Sequence, residues 1–221
     1  MSRITRADSF YSRWARLYAV LARYTPGISR LRRHCIEQLD LKSGSVVADM
    51  GAGPGPNLPR LHSHVSPDGS VVGIDVAQGQ LTHAAKFIHS SGWSNVHLVR
   101  GDATNPPLRS ADALFASFVI GMFETPPDVI DRWCDIVGSG GRIGLLHFAK
   151  SDRWYGFVPN AFLTLLVWLS TPGTPLIDRG STDLLDERVH AGHTRLMERC
   201  QETTVSTHWG GIVHLYTGVI E

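Results

Sequence analysis

Asp49-Met50-Gly51-Ala52-Gly53-Pro54-Gly55 is the stretch that decides how this chain folds. Three glycines alternate with other residues directly after a short apolar run at 45–50, SVVADM. A run of that length and composition reads as a buried strand. Glycine permits positive φ and lets a ligand lie close to the backbone. A helix opening at 57 would present unpaired N–H groups to an anionic or polar ligand. A dinucleotide-binding loop reads G-x-G-x-x-G. Here its third position is Pro56, so that fingerprint fails, and the spacing is acid-x-G-x-G-x-G.

Working outward, the periodicities predict helices over 8–24 and 28–40, separated by the turn signal Thr25-Pro26-Gly27. Strands at 45–50, 70–75, 96–100, 112–118 and 142–148 alternate with helices at 57–64, 78–91 and 127–137. Strand–helix alternation at this spacing means right-handed crossovers and a parallel sheet covered on both faces. The pattern changes after Lys150. An apolar helix is expected over about 154–169, a Pro/Gly turn at 171–175 and a polar helix over about 182–200. Two β-rich stretches, 203–209 and 212–220, flank Gly210-Gly211 and read as a hairpin. The expected fold class is α/β: a Rossmann-like, doubly wound, mostly parallel sheet of seven strands, closed by an antiparallel C-terminal hairpin. It is read as one domain over 1–221, with a helical arm at 1–40, a core at 45–148, a helical segment at 151–200 and a closing hairpin at 202–221.

Two further acids fall where a nucleoside site needs them. Asp75 closes the second strand, 20 residues past Gly55, where a carboxylate can accept both ribose hydroxyls. Asp102 follows the third strand and can accept a hydrogen bond from an adenine amino group. Val76 lies beside Asp75 and can pack on a purine face. The competing reading is a bare structural turn with solvated strand-end acids.

With these residues in place, the chain resembles the class I S-adenosylmethionine-dependent methyltransferases. The resemblance spans about 45–148, and the closing hairpin fits that family's reversed last strand. It implies S-adenosylmethionine as cofactor. It places the methionine part on Asp49 and on Gly51, Ala52, Gly53 and Gly55, the ribose on Asp75, and the adenine on Asp102 with Ala103. Ser117 and Phe118, at the end of the fourth strand, would line the methyl-transfer region, because ligands in such sheets sit at the carboxyl ends of strands.

Tyr11, Trp14 and Tyr18 share one face of the first expected helix. The segment is similar to the Tyr-x-x-x-Ala-x-x-Tyr stretch of quinone-biosynthesis C-methyltransferases and phospholipid N-methyltransferases, where the tyrosines close over the cofactor. By that resemblance Tyr11 and Tyr18 join the cofactor site. Ala19 stands where those relatives usually carry aspartate. The bland reading is an amphipathic helix packed on the sheet edge. In the same family the segment after the fifth strand covers the acceptor, and its large apolar residues suggest an apolar or lipid-like one.

A sulfonium-activated methyl needs only an aligned nucleophile and excluded water, so no Ser-His-Asp or Cys-His signature is required. His147, near the end of the fifth strand, is the candidate base, against the simpler reading of a hydrogen-bonded strand histidine. His62 with His64, and His190 with His193, lack further ligands at metal-site spacing, so no metal is expected.

Composition narrows the rest. The 221 residues are 43% hydrophobic and 19% charged, which is globular and neither disordered nor fibrous. Cys35, Cys134 and Cys200 are widely spaced and odd in number, which argues against a disulfide framework or thiolate zinc site. The start lacks an apolar leader, and the 16-residue stretch at 154–169 is shorter than the ~20 residues of a membrane span. A cytoplasmic setting is therefore expected. The net charge of +1 hides a split: residues 1–34 carry eight arginines and one acid, leaving −6 on the remainder. The arm suits peripheral contact with anionic headgroups. The function expected is methyl transfer to a small, apolar or lipid-like acceptor by in-line displacement. The alternatives are a soluble small-molecule O- or N-methyltransferase, and a non-catalytic protein binding the cofactor or nucleic acid.

Overall fold

A computed structural model describes residues 27–154, 156–158, 160, 161 and 179–221. The expected helix over 8–24, with Tyr11 and Tyr18, lies outside the described residues. So do most of the expected apolar helix over 154–169 and the turn at 171–175.

The chain enters through α1 (Ile28–Glu37) and then alternates: β1 (Val46–Met50), α2 (Leu58–Val65), β2 (Ser70–Asp75), α3 (Gln78–Ser91), β3 (Val96–Arg100), β4 (Ala113–Ser117), α4 (Pro126–Val137) and β5 (Arg142–Phe148). It ends with α5 (Arg179–Glu198), β6 (Cys200–His208) and β7 (Val213–Ile220). Local chemistry explains the stops and starts. Gly92 closes α3 in the left-handed region at φ 70°, which satisfies its last carbonyls. Pro126 and Pro127 open α4, where a missing N–H costs nothing, and Asp128 meets the positive end of the helix dipole.

The seven strands run in the order β3-β2-β1-β4-β5-β7-β6. The first five are parallel, and β7 is antiparallel to both β5 and β6. This is the expected mostly parallel sheet with an antiparallel closing hairpin. Every residue of β4 is buried because both faces of the sheet are covered. On one face α1, α2 and α3 pack Leu31, Ile36, Leu61 and Ile88 against Val47, Val71 and Phe115. On the other, α4 and α5 pack Ile130, Trp133, Val189 and Leu196 against Ala48, Leu114 and Leu145. Burial stabilises each such side chain by roughly 1.5–3 kcal/mol.

Most boundaries shift from expectation by a residue or a few, and two of the shifts have a clear local cause. The helix expected over 28–40 stops at Glu37, and Asp40 takes φ 48° instead. The sixth strand begins at Cys200 rather than 203, and most of its residues are exposed. Its polar pattern carries little strand signal; the ladder to β7, irregular between Cys200 and Glu202, holds it.

The chain leaves β1 toward β2 and β3 on one side and returns to β4 on the other. That reversal opens a crevice at the carboxyl ends of β1 and β4, which is where open α/β sheets bind ligands. Among the described residues no helix is long and apolar enough to cross a membrane.

Candidate functional site

The glycine loop leaves β1 and folds back over β2. The Gly51 and Ala52 amides both donate to the Ile74 carbonyl, at 2.8 and 3.0 Å. Gly51 sits at φ 71°, and a Cβ there would collide with the Val119 side chain. Gly53 sits at φ 55°, and a Cβ there would have nothing nearer than the Gly51 carbonyl at 4.0 Å. Its place beside the crevice is therefore open.

Asp75 closes the loop from below. One carboxylate oxygen accepts the Gly53 amide and the other the Ala77 amide, both at 2.8 Å. Burial raises its pKa, and the backbone amides of Ala77, Gly53 and Val76 oppose the rise. Each oxygen keeps a second lone pair for a hydroxyl donor. The Val76 carbonyl is taken by Arg100 Nε at 3.1 Å.

Asp49 lies fully buried on β1. Its two oxygens accept from Asn57 Nδ2 at 3.0 and 3.2 Å, and the same amide nitrogen reaches Ser117 Oγ at 3.3 Å. Burial pushes the Asp49 carboxyl up to about 7, against the Asn57 hydrogen bond and the field of Arg32. Asn57 stands at the cap position of α2 yet makes no side-chain cap bond, because its amide is turned into this cluster. Ser117 is buried at the end of β4, and Phe118 follows at φ 60°. Phe118 stacks on Phe148 with centroids 4.7 Å apart, and the Arg32 guanidinium lies 5.5 Å from the Phe118 ring centre.

Asp102 is exposed beyond β3. One oxygen accepts from both the amide and the hydroxyl of Thr104, at 2.8 Å each. The next residue, Ala103, is held by Trp133, whose indole N–H donates to its carbonyl at 2.8 Å. The crevice thus has Asp102 and Ala103 at the β3 end, Asp75 and Val76 at β2, the loop and Asp49 at β1, and Ser117 and Phe118 at β4.

His147 stands apart from this row, on β5. Its ring packs 4.1 Å from His193 of α5, 5.6 Å from Tyr216 and 6.0 Å from His214. It is 2% exposed, and neither ring nitrogen has a hydrogen-bond partner. Burial, then His193 and His214, hold its pKa well below the ordinary 6.5. No group of three or more metal-ligating side chains occurs among the described residues.

Neither Asn57 nor Arg32 was among the residues expected here. Asn57 had a readable signal, an asparagine directly before a helix. Arg32 had none, being one of eight similar arginines in the first 34 residues.

Residues 47–141 match a family described as a methyltransferase domain. The chain is 29% identical over 136 residues to the aklanonic acid methyltransferase DauC of Streptomyces sp. (strain C5), covering 61% of this chain and 62% of the relative. It is 32% identical over 115 residues to a nocamycin O-methyltransferase of Saccharothrix syringae, covering 51% and 41%. A demethylmenaquinone methyltransferase of Shouchella clausii is 22% identical over 206 residues, covering 85% and 84%. The chain thus spans less than two thirds of the length of the first two relatives. Among solved structures, a SAM-dependent methyltransferase from Aquifex aeolicus superposes with a TM-score of 0.56 at 20% identity, over 86% of this chain and 89% of that one. A chain from Methanococcus maripaludis, titled a putative S-adenosyl-L-methionine-dependent methyltransferase, gives 0.63 at 16% identity, over 93% and 91%. At such identities these two likenesses speak for the fold alone.

Proposed function

We propose that this chain, whose core belongs to the class I S-adenosylmethionine-dependent methyltransferases, transfers a methyl group to a small, apolar organic acceptor by direct in-line displacement. The observation that carries the reading is the tie between the glycine loop and Asp75 at the crevice of a 3-2-1-4-5-7-6 sheet.

The residues present fit the cofactor. The space beside Gly53 is one that a Cβ would enter. Asp75 keeps lone pairs for two ribose hydroxyls. The buried Asn57 Oδ1 has no donor. S-adenosylmethionine, when bound, supplies a methyl already activated by its sulfonium. The chain's own work is then binding and orientation. Asp75 would hold the ribose, Asp102 and Ala103 the adenine edge, and Asp49 with the loop the amino-acid end. Ser117 and Phe118 would line the space where the acceptor meets the methyl.

Apolar side chains around that space support an apolar acceptor. Phe118 and Phe148 stack beside Ser117. Two relatives are named for aklanonic acid and demethylmenaquinone. His147 remains the candidate proton acceptor. Its neutral ring is the form a base needs, but so low a pKa makes it a weak one.

Methyl-labelled S-adenosylmethionine should be incubated with the chain and two panels, prenylated or polycyclic phenols and water-soluble amines and phenols. Label entering the organic-soluble phenols is the expected result. Label confined to water-soluble acceptors would replace this reading with a soluble small-molecule methyltransferase. Cofactor binding without transfer to either panel would leave a non-catalytic cofactor-binding protein.

A further inference from the structure

His147 of β5 and His193 of α5 pack against each other with ring centres 4.1 Å apart. His147 is 2% exposed and His193 4%. The Tyr216 ring lies 3.5 Å from His193 and 5.6 Å from His147. Strand geometry assembles the cluster. His214 stands opposite His147 in the β5–β7 ladder, and Tyr216, two residues further on, shares its face of the sheet.

The histidines differ in one respect. His214 is paired: its Nε2 donates to the Gly211 carbonyl at 2.7 Å. Neither nitrogen of His147, nor Nε2 of His193, has a hydrogen-bond partner among the described residues. Burial above all, then neighbouring histidines, keeps both rings neutral at pH 7, with the His193 pKa lowered to about 3. A neutral imidazole carries one N–H donor and one bare acceptor. His147 therefore hides one of each without a partner. Packing alone does not call for them, since an apolar ring of similar shape would fill the same space at no such cost.

The pair lies one strand beyond Ser117. The Phe118 amide donates to the Leu146 carbonyl at 2.6 Å, which sets His147 level with Phe118 across the ladder. Gly192, next to His193, packs so closely on the turn after β4 that a Cβ would lie 2.9 Å from Ile120 Cγ2. Both histidines thus border the strand ends where the acceptor meets the methyl. The desolvation that keeps the rings neutral also penalises any ion brought between them, so their ligand is uncharged. A carbonyl only accepts and leaves a bare nitrogen unserved. A hydroxyl accepts from the N–H of one ring and donates to the bare nitrogen of the other. The flat faces of Tyr216 and the two imidazoles suit an aromatic carrier for it.

We propose that His147 and His193 form a subsite for a neutral hydroxyl group of the acceptor, which makes the acceptor a phenol rather than an amine or a carboxylate. The inference rests on the methyltransferase reading above and adds His193 to the site as a binding residue.

Fluorescence titration of the full chain, saturated with S-adenosylhomocysteine, tests this without turnover. The probes are α-naphthol and naphthalene, which has the same rings and no hydroxyl. The parent should prefer α-naphthol by about tenfold or more. His147→Phe and His193→Phe should bind the two probes alike and bind naphthalene as the parent does. Both should melt no lower than the parent, because each removes unpaired buried nitrogens. His193→Gln, which keeps a donor and an acceptor, should keep part of the preference. A parent that binds both probes alike, or neither, while still binding S-adenosylhomocysteine, overturns the subsite and leaves the cofactor site standing. Tighter binding of α-naphthoate than of α-naphthol overturns it too, as do Phe variants that retain the preference. A lower melting temperature with equal loss of both probes means a packing role and also overturns it. If the parent binds no S-adenosylhomocysteine in calorimetry, the methyltransferase reading falls and takes the inference with it.

Discussion

The Gly53 amide donates to the Asp75 carboxylate at 2.8 Å, across a separation of 22 residues. One bond thus ties the loop after β1 to the end of β2. The Ala77 amide holds the other oxygen of the same carboxylate. The loop shape and the acid's orientation are therefore set together.

Asp75→Ala should abolish cofactor binding in calorimetry, since it removes both the ribose acceptor and the loop's tether. Gly53→Val should do the same by another route. A β-branched residue at φ 55° is strained by roughly 1–3 kcal/mol, and its side chain enters the open space beside the loop. Parent-like binding by both variants would misplace the site.

Asp49→Asn should trade affinity for stability. The folded pKa of Asp49 is pushed up to about 7 from an ordinary 3.8. A carboxyl raised in this way stabilises the fold fully below pH 3.8, and that contribution is lost as pH rises through 7. At pH 8 the variant should melt above the parent, at pH 3.5 at the same temperature or below, while binding S-adenosylhomocysteine more weakly. Thermal melts at the two pH values read the first part, and calorimetry the second.

Acid should loosen the chain through His147 and His193. Both folded pKa values are depressed, His193 to about 3, mainly by burial. Their contribution is present above the unfolded value of 6.5 and is lost as pH falls below it. Each group should remove up to about 1.4 kcal/mol per pH unit. Urea midpoints between pH 7 and 4 should fall steeply in the parent and less steeply in His193→Leu. Equal slopes would show that these rings do not govern the acid limb.

Trp133→Phe should act at a distance of one hydrogen bond. The ring is fully buried in the core beside Phe123, and its N–H holds the Ala103 carbonyl. Losing that bond should cost about 1–2 kcal/mol of stability. 5′-methylthioadenosine should bind several-fold more weakly, because Ala103 loses its support. Unchanged nucleoside affinity would detach Ala103 from the site.

The strands were the most legible part of the chain. Those at 70–75, 96–100 and 142–148 were expected with the boundaries they have. Buried parallel strands are short apolar runs bounded by turn residues, and both signals are local. β6 was less legible, because an edge strand held by its partner's ladder needs no apolar pattern of its own. The same contrast holds in the site. Asp49, Asp75 and the loop glycines announce themselves by spacing along neighbouring strands. Arg32 does not, since helical phase alone separates it from the exposed Arg30 and Arg33.

The sequence by itself determined the alternation of strands and helices, the glycine loop and the order of acids behind it. Those features are local: φ preferences, apolar runs and residue spacing act within a few positions of one another. The tertiary structure alone decided which charges are buried and what they face. It turned the Asn57 amide into Asp49 instead of capping α2. It set His147 among three aromatic rings away from the crevice row. It also took one arginine out of a uniform basic arm and placed it over Phe118. Burial and electrostatic context depend on packing between elements far apart in the chain, and no short stretch of residues carries that information.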